Sequence, residues 1–309
     1  MLAYIVRRIF FGAAVLIGTS IITFAIAFVV PADPAVAMAG AKADPQTLAT
    51  IRHEMGLDQP LYIQYARYLD RAIHGDLGRS YIRRESVTRL IADRFPATAV
   101  LAGSAMALSL ILGIAMGAVA AAYRGRAADN ALLVISLALV SVPVFWLGTM
   151  LLIAVAATVR SFPLGGYSGP VSLILPTVTL AVGSAGYYSR VLHTSLCDAF
   201  DQDYVRTARG KGLSRARVML KHAMANALLP LVTLAGLDLA GLLSGVVLTE
   251  TVFNWPGIGR LAADAIFNLD IPVIMGTVLF SAFLIVVVNL LVDLLYAWLD
   301  PRIRLAETG

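Results

Sequence analysis

His53-Glu54 opens a string like that of zinc proteases, in which two histidines four residues apart share a helix face; Leu57 stands where the second should be. That chemistry is excluded. Gly166-Tyr167-Ser168-Gly169 matches the G-x-S-G of intramembrane serine proteases, yet a serine nucleophile needs a base, and no histidine follows His222. It reads as a Gly-rich outer turn before Pro170. Gly210-Lys211-Gly212 suggests a phosphate loop, but G-x-x-x-x-G-K-[ST] puts Val205 at the first glycine and Gly212 at the hydroxyl. ATP is therefore not bound by that motif. Cys197 is the one cysteine, so neither an internal disulfide nor a thiolate zinc pair can form. No catalytic residue, metal site or cofactor is expected in this chain. What remains is Asp238, a carboxylate inside an apolar run. Such a group is costly to lipid and should face a bundle interior, a partner or a wet pathway.

The elements that must position it are membrane helices. Of 309 residues, 59% are hydrophobic and 14% charged, with a mean hydropathy of +0.81. A water-soluble globule is excluded on that balance. A span needs roughly 20 apolar residues, and six runs reach that length: 9–30, 98–122, 131–159, 171–189, 228–248 and 273–299. The first exceeds a signal-peptide core of roughly 7–15 residues and is read as a retained helix. Pro143 is expected to kink the third. Gly113 and Gly117 in the second, with Gly241 and Gly245 in the fifth, have the small-xxx-small spacing of closely packed helices. Asp238 then lies about 12–15 Å along its span at about 1.5 Å per residue. It suits either a pathway lining or a structural hydrogen bond. Asn289 and Asp293 in the sixth run share a face, and Asp293 is nearer the inner interface.

Basic residues in short loops set the orientation. Arg7 and Arg8, Arg124 and Arg126, the cluster from Arg190 to Lys221, and Arg302 with Arg304 fall on one side; Arg160 and Arg260 fall on the other. Both termini are therefore expected in the cytoplasm. The net charge of +5 is assigned to this topology rather than to nucleic acid. The connection 31–97 carries nine basic and eight acidic residues and is placed outside by alternation. Asp44 caps a helix with Pro45 at its first position and Gly56 at its stop; a second helix begins near Asp58 and Pro60 and ends at Gly75. A small helical external subdomain is expected.

The segment 203–230 is the most informative. Tyr204, Val205 and Ala208 form an apolar stripe, Gly210 and Gly212 interrupt it, and Ser214 can cap the next helix. Arg215, Arg217 and Lys221 keep one side of that helix basic, which also suits anionic lipid. A protruding helix with small residues at its bend suits insertion into a groove on another protein.

This segment resembles the EAA loop of ABC importer permeases, with Arg206-Thr207-Ala208 at the E-A-A positions, Arg206 replacing Glu, and Gly212 at the glycine. RTARGKGLSR is similar to the variant in the peptide and nickel permease family. Pro31-Ala32-Asp33-Pro34 resembles that family's PGDP. Further resemblances are Gly56 to Pro60, Gln64-Tyr65, Gly75 to Gly78, Ser141 to Trp146, Leu173 to Pro176, and Glu250 through Phe253-Asn254-Trp255-Pro256-Gly257-Ile258-Gly259. The run Asn289 to Asp293 and the closing Asp300 to Arg304 complete them. The outer segment and the closing DPRIR are most similar to the dipeptide permease B-type subunit.

The resemblance implies an all-α membrane protein of six transmembrane helices, like a type I ABC importer permease with an extracytoplasmic subdomain between spans one and two. It divides as 1–30 (N-terminus and first span), 31–97 (extracytoplasmic), 98–299 (five-helix core with coupling loop 190–227) and 300–309 (cytoplasmic tail). It implies half of a heterodimeric channel in a bacterial inner membrane. The partners would be a second permease subunit, two ATPase subunits holding ATP and Mg, and an extracytoplasmic substrate-binding protein. Tyr204, Val205, Arg206, Thr207, Ala208, Lys211 and Gly212 are then expected to couple to the ATPases. Asp238, Ser244, Glu250 and Asn254 are expected along the substrate route. Peptide is the expected cargo, with nickel, glutathione or another small solute as alternatives. A stand-alone secondary transporter and a membrane sensor are the rival classes.

Overall fold

The computed structural model describes residues 2–29, 35–36, 44–54, 56–159 and 162–299. The expectations for Pro31 to Pro34, Arg160 and 300–309 fall outside them. Among the described residues five helices are long and apolar enough to cross a bilayer: Ile5–Ala27, Val87–Ala122, Pro170–Phe200, Arg215–Leu243 and Ile271–Leu295. The pair Ala127–Ser141 and Val144–Val155, bent by 94°, makes six if counted as one span. The chain separates into two compact units, the first comprising Met1–Thr98, Leu243–Val247 and Pro256–Leu290 and the second Ala99–Leu242, Leu248–Trp255 and Leu291–Gly309.

In the first unit, helix α1 (Leu2–Val29) is followed by α2 (Pro45–Glu54) and α3 (Leu61–Ile73). The start of α2 is fixed as its residues require: Asp44 Oδ1 accepts from the Gln46 and Thr47 amides at 2.9 and 2.7 Å. Gly56 turns the chain at φ +65°, and the Leu57 amide returns to the Arg52 carbonyl at 2.9 Å. Gln64 then ties the corner, its Nε2 donating to the Leu57 and Gln59 carbonyls. Tyr68 of α3 packs with Ile271 and Met275, while Tyr65 Oη lies 2.9 Å from Ser20 Oγ of α1.

The loop 76–86 is pinned by a buried acid. Asp270 accepts from the Ser80 hydroxyl and, at 3.1 Å, from the Tyr81 amide. Burial, aided by the Asp270 charge, pushes the Tyr81 phenol up to about 12. Helix α4 (Val87–Ala122) begins here, eleven residues before the apolar run suggested. Arg89, Asp93 and Arg94 interrupt the hydropathy, yet Val87, Leu90 and Ile91 at helical spacing are buried with Ile258, Leu261 and Val273. Helix α4 carries Pro96 within it.

The second unit is built around one helix. After α4 come α5 (Ala127–Ser141), α6 (Val144–Thr158) and a short 3₁₀ turn, Pro170–Leu173, leading into α7 (Ile174–Phe200). The break between α5 and α6 falls at Val142-Pro143, where the ring cannot donate to the helix ladder. Small residues let the neighbours of α7 approach: a Cβ on Gly186 would lie 2.6 Å from the Ser136 carbonyl oxygen, and one on Gly117 at 2.6 Å from that of Ser189. The packing expected of Gly113 and Gly117 is thus present.

Helix α8 (Asp203–Gly210) follows, then a turn at Arg215–Arg217, a π-helical stretch Val218–Ala223, and α9 (Met224–Leu243). Helix α9 stops before the expected 248. Gly245 adopts φ +106°, beyond the helix, and so does not pack in register with Gly241. A Cβ on Gly245 would meet the Gly259 amide nitrogen at 2.7 Å. Helices α10 (Val247–Val252), α11 (Ile258–Phe267) and α12 (Ile271–Leu299) complete the chain.

Candidate functional site

Residues 204–212 form one short helix and its terminating turn. Val205 and Ala208, 0% and 5% exposed, join a core with Leu192, Leu196, Cys197, Val218, Ala223 and Met224. Val205 and Ala208 therefore seal α8 onto the end of α7 and the start of α9, whereas Tyr204, expected on the same stripe, is exposed. Ala208 faces this chain's own core, whereas the outward face carries Tyr204, Arg206, Thr207, Arg209 and Lys211. Arg206 leans on Asp203 at 3.5 Å, Thr207 Oγ1 donates to the Asp203 carbonyl at 2.9 Å, and the Arg209 guanidinium stands over Phe200 at 5.7 Å. Gly212 is exposed at φ +73°, a conformation open to glycine at no steric cost.

The base of this segment is held by charge. Arg124 Nη1 meets Asp201 Oδ2 at 3.1 Å, joining the α4–α5 turn to the α7–α8 corner. Beside it His193 Nε2 lies 3.0 Å from Asp129 Oδ1, and Asp129 Oδ2 accepts the Gly125 amide at 2.8 Å. Neither Asp129 nor His193 stood out in the sequence, because an acid in a first helical turn and a lone histidine are both ordinary there.

Asp238 lies within α9, half-buried. Its Oδ2 accepts a hydrogen bond from Tyr188 Oη at 2.7 Å. Tyr188 is 0% exposed and shares an apolar cluster with Met106, Leu231 and Ala235. The signal for Tyr188 was its phenol inside an apolar run, since a buried hydroxyl requires a partner; which partner could not be read across 50 residues.

The other expected route residues lie further along the chain. Ser244 follows α9, and its carbonyl accepts from Ser281 Oγ at 2.9 Å. Glu250 is 0% exposed in α10, its carbonyl accepting the Trp255 amide at 2.7 Å. Asn254 is exposed and takes φ +51° at the turn after α10. That turn is anchored by Trp255, 0% exposed, with its ring 4.7 Å from that of Tyr167, and by the Gly166 amide donating to the Phe253 carbonyl at 2.9 Å.

Residues 99–305 match the family described as the binding-protein-dependent transport system inner membrane component, and residues 1–102 match the N-terminal model described for the same systems. The chain belongs to that family. As a family member it is a multi-pass inner-membrane permease subunit of an ABC transporter, not an enzyme; ATP hydrolysis belongs to partner subunits. Among its relatives, a Brucella abortus protein provisionally named a peptide transport system permease is 41% identical over 98% of this chain and 99% of its own length. The glutathione transport system permease GsiC of Escherichia coli K12 is 38% identical over 98% of this chain and 99% of its own. The fold is shared with a chain of the MetNI methionine ABC transporter in an inward-facing conformation. That likeness has a TM-score of 0.56 at 18% identity and covers 68% of this chain and 96% of the other.

Proposed function

We propose that this permease carries di- or oligopeptides inward across the inner membrane as one half of a heterodimeric pathway. Two ATPase subunits, holding ATP and Mg, work at its cytoplasmic face, and an extracytoplasmic binding protein delivers cargo. The observation that carries the cargo is the 41% identity, end to end, with a relative named for peptide transport. Both termini are assigned to the cytoplasm, from the basic residues of the short loops. The chain then divides into 1–30 (cytoplasmic N-terminus and first span), 31–97 (extracytoplasmic helical subdomain), 98–299 (five-helix core with the cytoplasmic coupling loop 190–227) and 300–309 (cytoplasmic tail).

Closure of the ATPases would push on α8, whose outward Tyr204, Arg206, Thr207 and Lys211 offer the contact. Val205 and Ala208 belong to the core shared with α7 and α9, so a push on α8 reaches both helices as one body. Gly212 supplies the turn. Asp238, Ser244, Glu250 and Asn254 are assigned to the route or to the walls that shape it.

Uptake in vesicles bearing the assembled transporter tests the proposal. Dipeptide accumulation should require ATP and resist a protonophore; the reverse pattern would identify a secondary transporter and overturn it. The 38% identity with GsiC favours glutathione as a second cargo. Glutathione that enters in an ATP-dependent manner and is not displaced by dipeptides would replace the first reading.

A further inference from the structure

We propose that Asp238, oriented by Tyr188, reads the protonated amino group of the carried molecule. The inference rests on the permease reading above and names the part of the cargo that this chain itself recognises.

The location is the first observation. Asp238 stands about 21 Å along the helix from Met224 at about 1.5 Å per residue, within a hydrocarbon core about 30 Å thick. Its neighbours are apolar: Leu231, Leu234, Ala235, Leu239 and Leu242 belong to the cluster around Tyr188. A carboxylate at such depth needs compensation or a wet surface. Among the described residues its one hydrogen bond is to Tyr188, and no lysine, arginine or histidine lies within ion-pair distance. A purely structural bond to a tyrosine hydroxyl could be made by an asparagine or serine without placing an acid in the membrane.

The second observation is how firmly Tyr188 is placed. Its side chain is fully buried, and its Cβ would lie 2.6 Å from a Cβ on Gly113, so α4 leaves the tyrosine its space by lacking a side chain there. Tyr188 Oη also rests 3.6 Å from Met106 Sδ. Helices α4, α7 and α9 thus combine to hold one carboxylate oxygen. The other, Oδ1, has no hydrogen-bond partner among the described residues, on a side chain that is only half-buried.

The third step is chemical. A guanidinium binds a carboxylate best through both oxygens at once, and Tyr188 occupies one of them. An ammonium is a compact charge with three rotatable donors and needs only one free oxygen. The half-occupied carboxylate therefore suits a primary amine, such as a free peptide amino terminus. It disfavours the same peptide with that amine acylated. Tyr188 acts as a positioning residue through Asp238.

The test is equilibrium binding to the assembled transporter in lipid nanodiscs without its binding protein, so that upstream selection is not measured. The probes are dialanine, N-acetyl-dialanine and N-guanidinylated dialanine. The native transporter should bind dialanine ~10-fold more tightly than either derivative. Asp238→Asn should abolish that preference, and Asp238→Glu should retain part of it. Tyr188→Phe should weaken the preference several-fold while leaving the melting temperature near the native value. A preference that survives in Asp238→Asn, or is absent from the native transporter, overturns the inference. So does a fall in melting temperature in Tyr188→Phe with the preference intact, which marks a structural bond alone. If native ATP-driven dipeptide uptake persists through these results, the amine site fails while the permease reading stands; if that uptake is itself missing, the permease reading fails first.

Discussion

Gly113 and Tyr188 are packed so closely that a methyl group on the glycine would come within 2.6 Å of the tyrosine Cβ, and within 3.1 Å of the Ala185 carbonyl oxygen. Helices α4 and α7 can touch this way only because one of them lacks a side chain. Gly113→Ala should therefore force the pair apart, destabilising the protein by about 1–3 kcal/mol as overpacked sites do. Gly103 is the control: it lies on the same helix, and a methyl group there would meet nothing within 4 Å, so alanine should be neutral or mildly stabilising. Thermal unfolding of the two variants in detergent checks this. Equal melting temperatures would show that the contact is slack.

The division of α8 into a buried and an outward face separates stability from coupling. Ala208→Asp should place a charge in the core with Leu192, Leu196 and Val218, lowering folded yield before coupling can be measured. Arg206→Glu and Lys211→Glu alter only exposed positions and should leave the melting temperature unchanged while separating ATP hydrolysis from uptake. Gly212→Pro demands φ near −65° where the backbone has +73° and removes the amide that donates to the Arg209 carbonyl at 2.9 Å, so it should lower the melting temperature as well as separate hydrolysis from uptake by reshaping the turn. Measuring hydrolysis and uptake side by side decides the matter. Full uptake in all three coupling variants would remove α8 from the coupling role.

The helix ends of this protein were legible wherever a residue satisfies its own backbone. Asp44 with Pro45, Gly56 and Gly75 place α2 and α3 correctly because caps and left-handed stops are local decisions. The spans were legible because lipid demands long apolar runs. Hydropathy failed where burial is one-sided: the first turns of α4 hide Val87, Leu90 and Ile91 beneath charged neighbours. It failed again beyond Leu243, where the close approach of Gly245 to Gly259 ends α9 and leaves α10 and α11 as separate short helices. Asp238 could be chosen from its depth alone. Its partner Tyr188 could not, since a contact across 50 residues has no local signature.

Asp270 and Ser80 show how a long connection is held. Asp270 is 4% exposed and accepts from both the Ser80 hydroxyl and the Tyr81 amide; Ser80 Oγ in turn accepts the Arg83 amide at 2.9 Å. Asp270→Ala should leave two donors without partners, each costing about 1–3 kcal/mol if it stays buried. Asp270→Asn, which keeps a carbonyl oxygen, should cost less. Hydrogen exchange across 79–86 should rise in the alanine variant and less in the asparagine variant. Unchanged protection in both would mean that the turn between Arg79 and Ser86 holds without the acid.

The corner between α2 and α3 should respond to acid. His53 Nδ1 lies 2.7 Å from Asp58 Oδ2, and that hydrogen bond holds the Asp58 carboxyl below its ordinary value. At the start of α2, the Thr47 amide does the same for Asp44. A carboxyl with a lower pKa in the folded state than in the unfolded one contributes stability above its unfolded value, about 3.9. That contribution is lost as pH falls through the lower folded value. The corner should therefore keep its protection from neutrality down to about pH 4 and loosen below it. Both groups are exposed, so screening keeps the effect small, and it should shrink further at high salt. Amide exchange at Leu57 and Thr47, corrected for intrinsic rates, can follow the two sites separately. Asp58→Asn should flatten the acid response at Leu57 and spare that at Thr47; an identical response at Leu57 in the variant would assign the acid sensitivity to Asp44 alone.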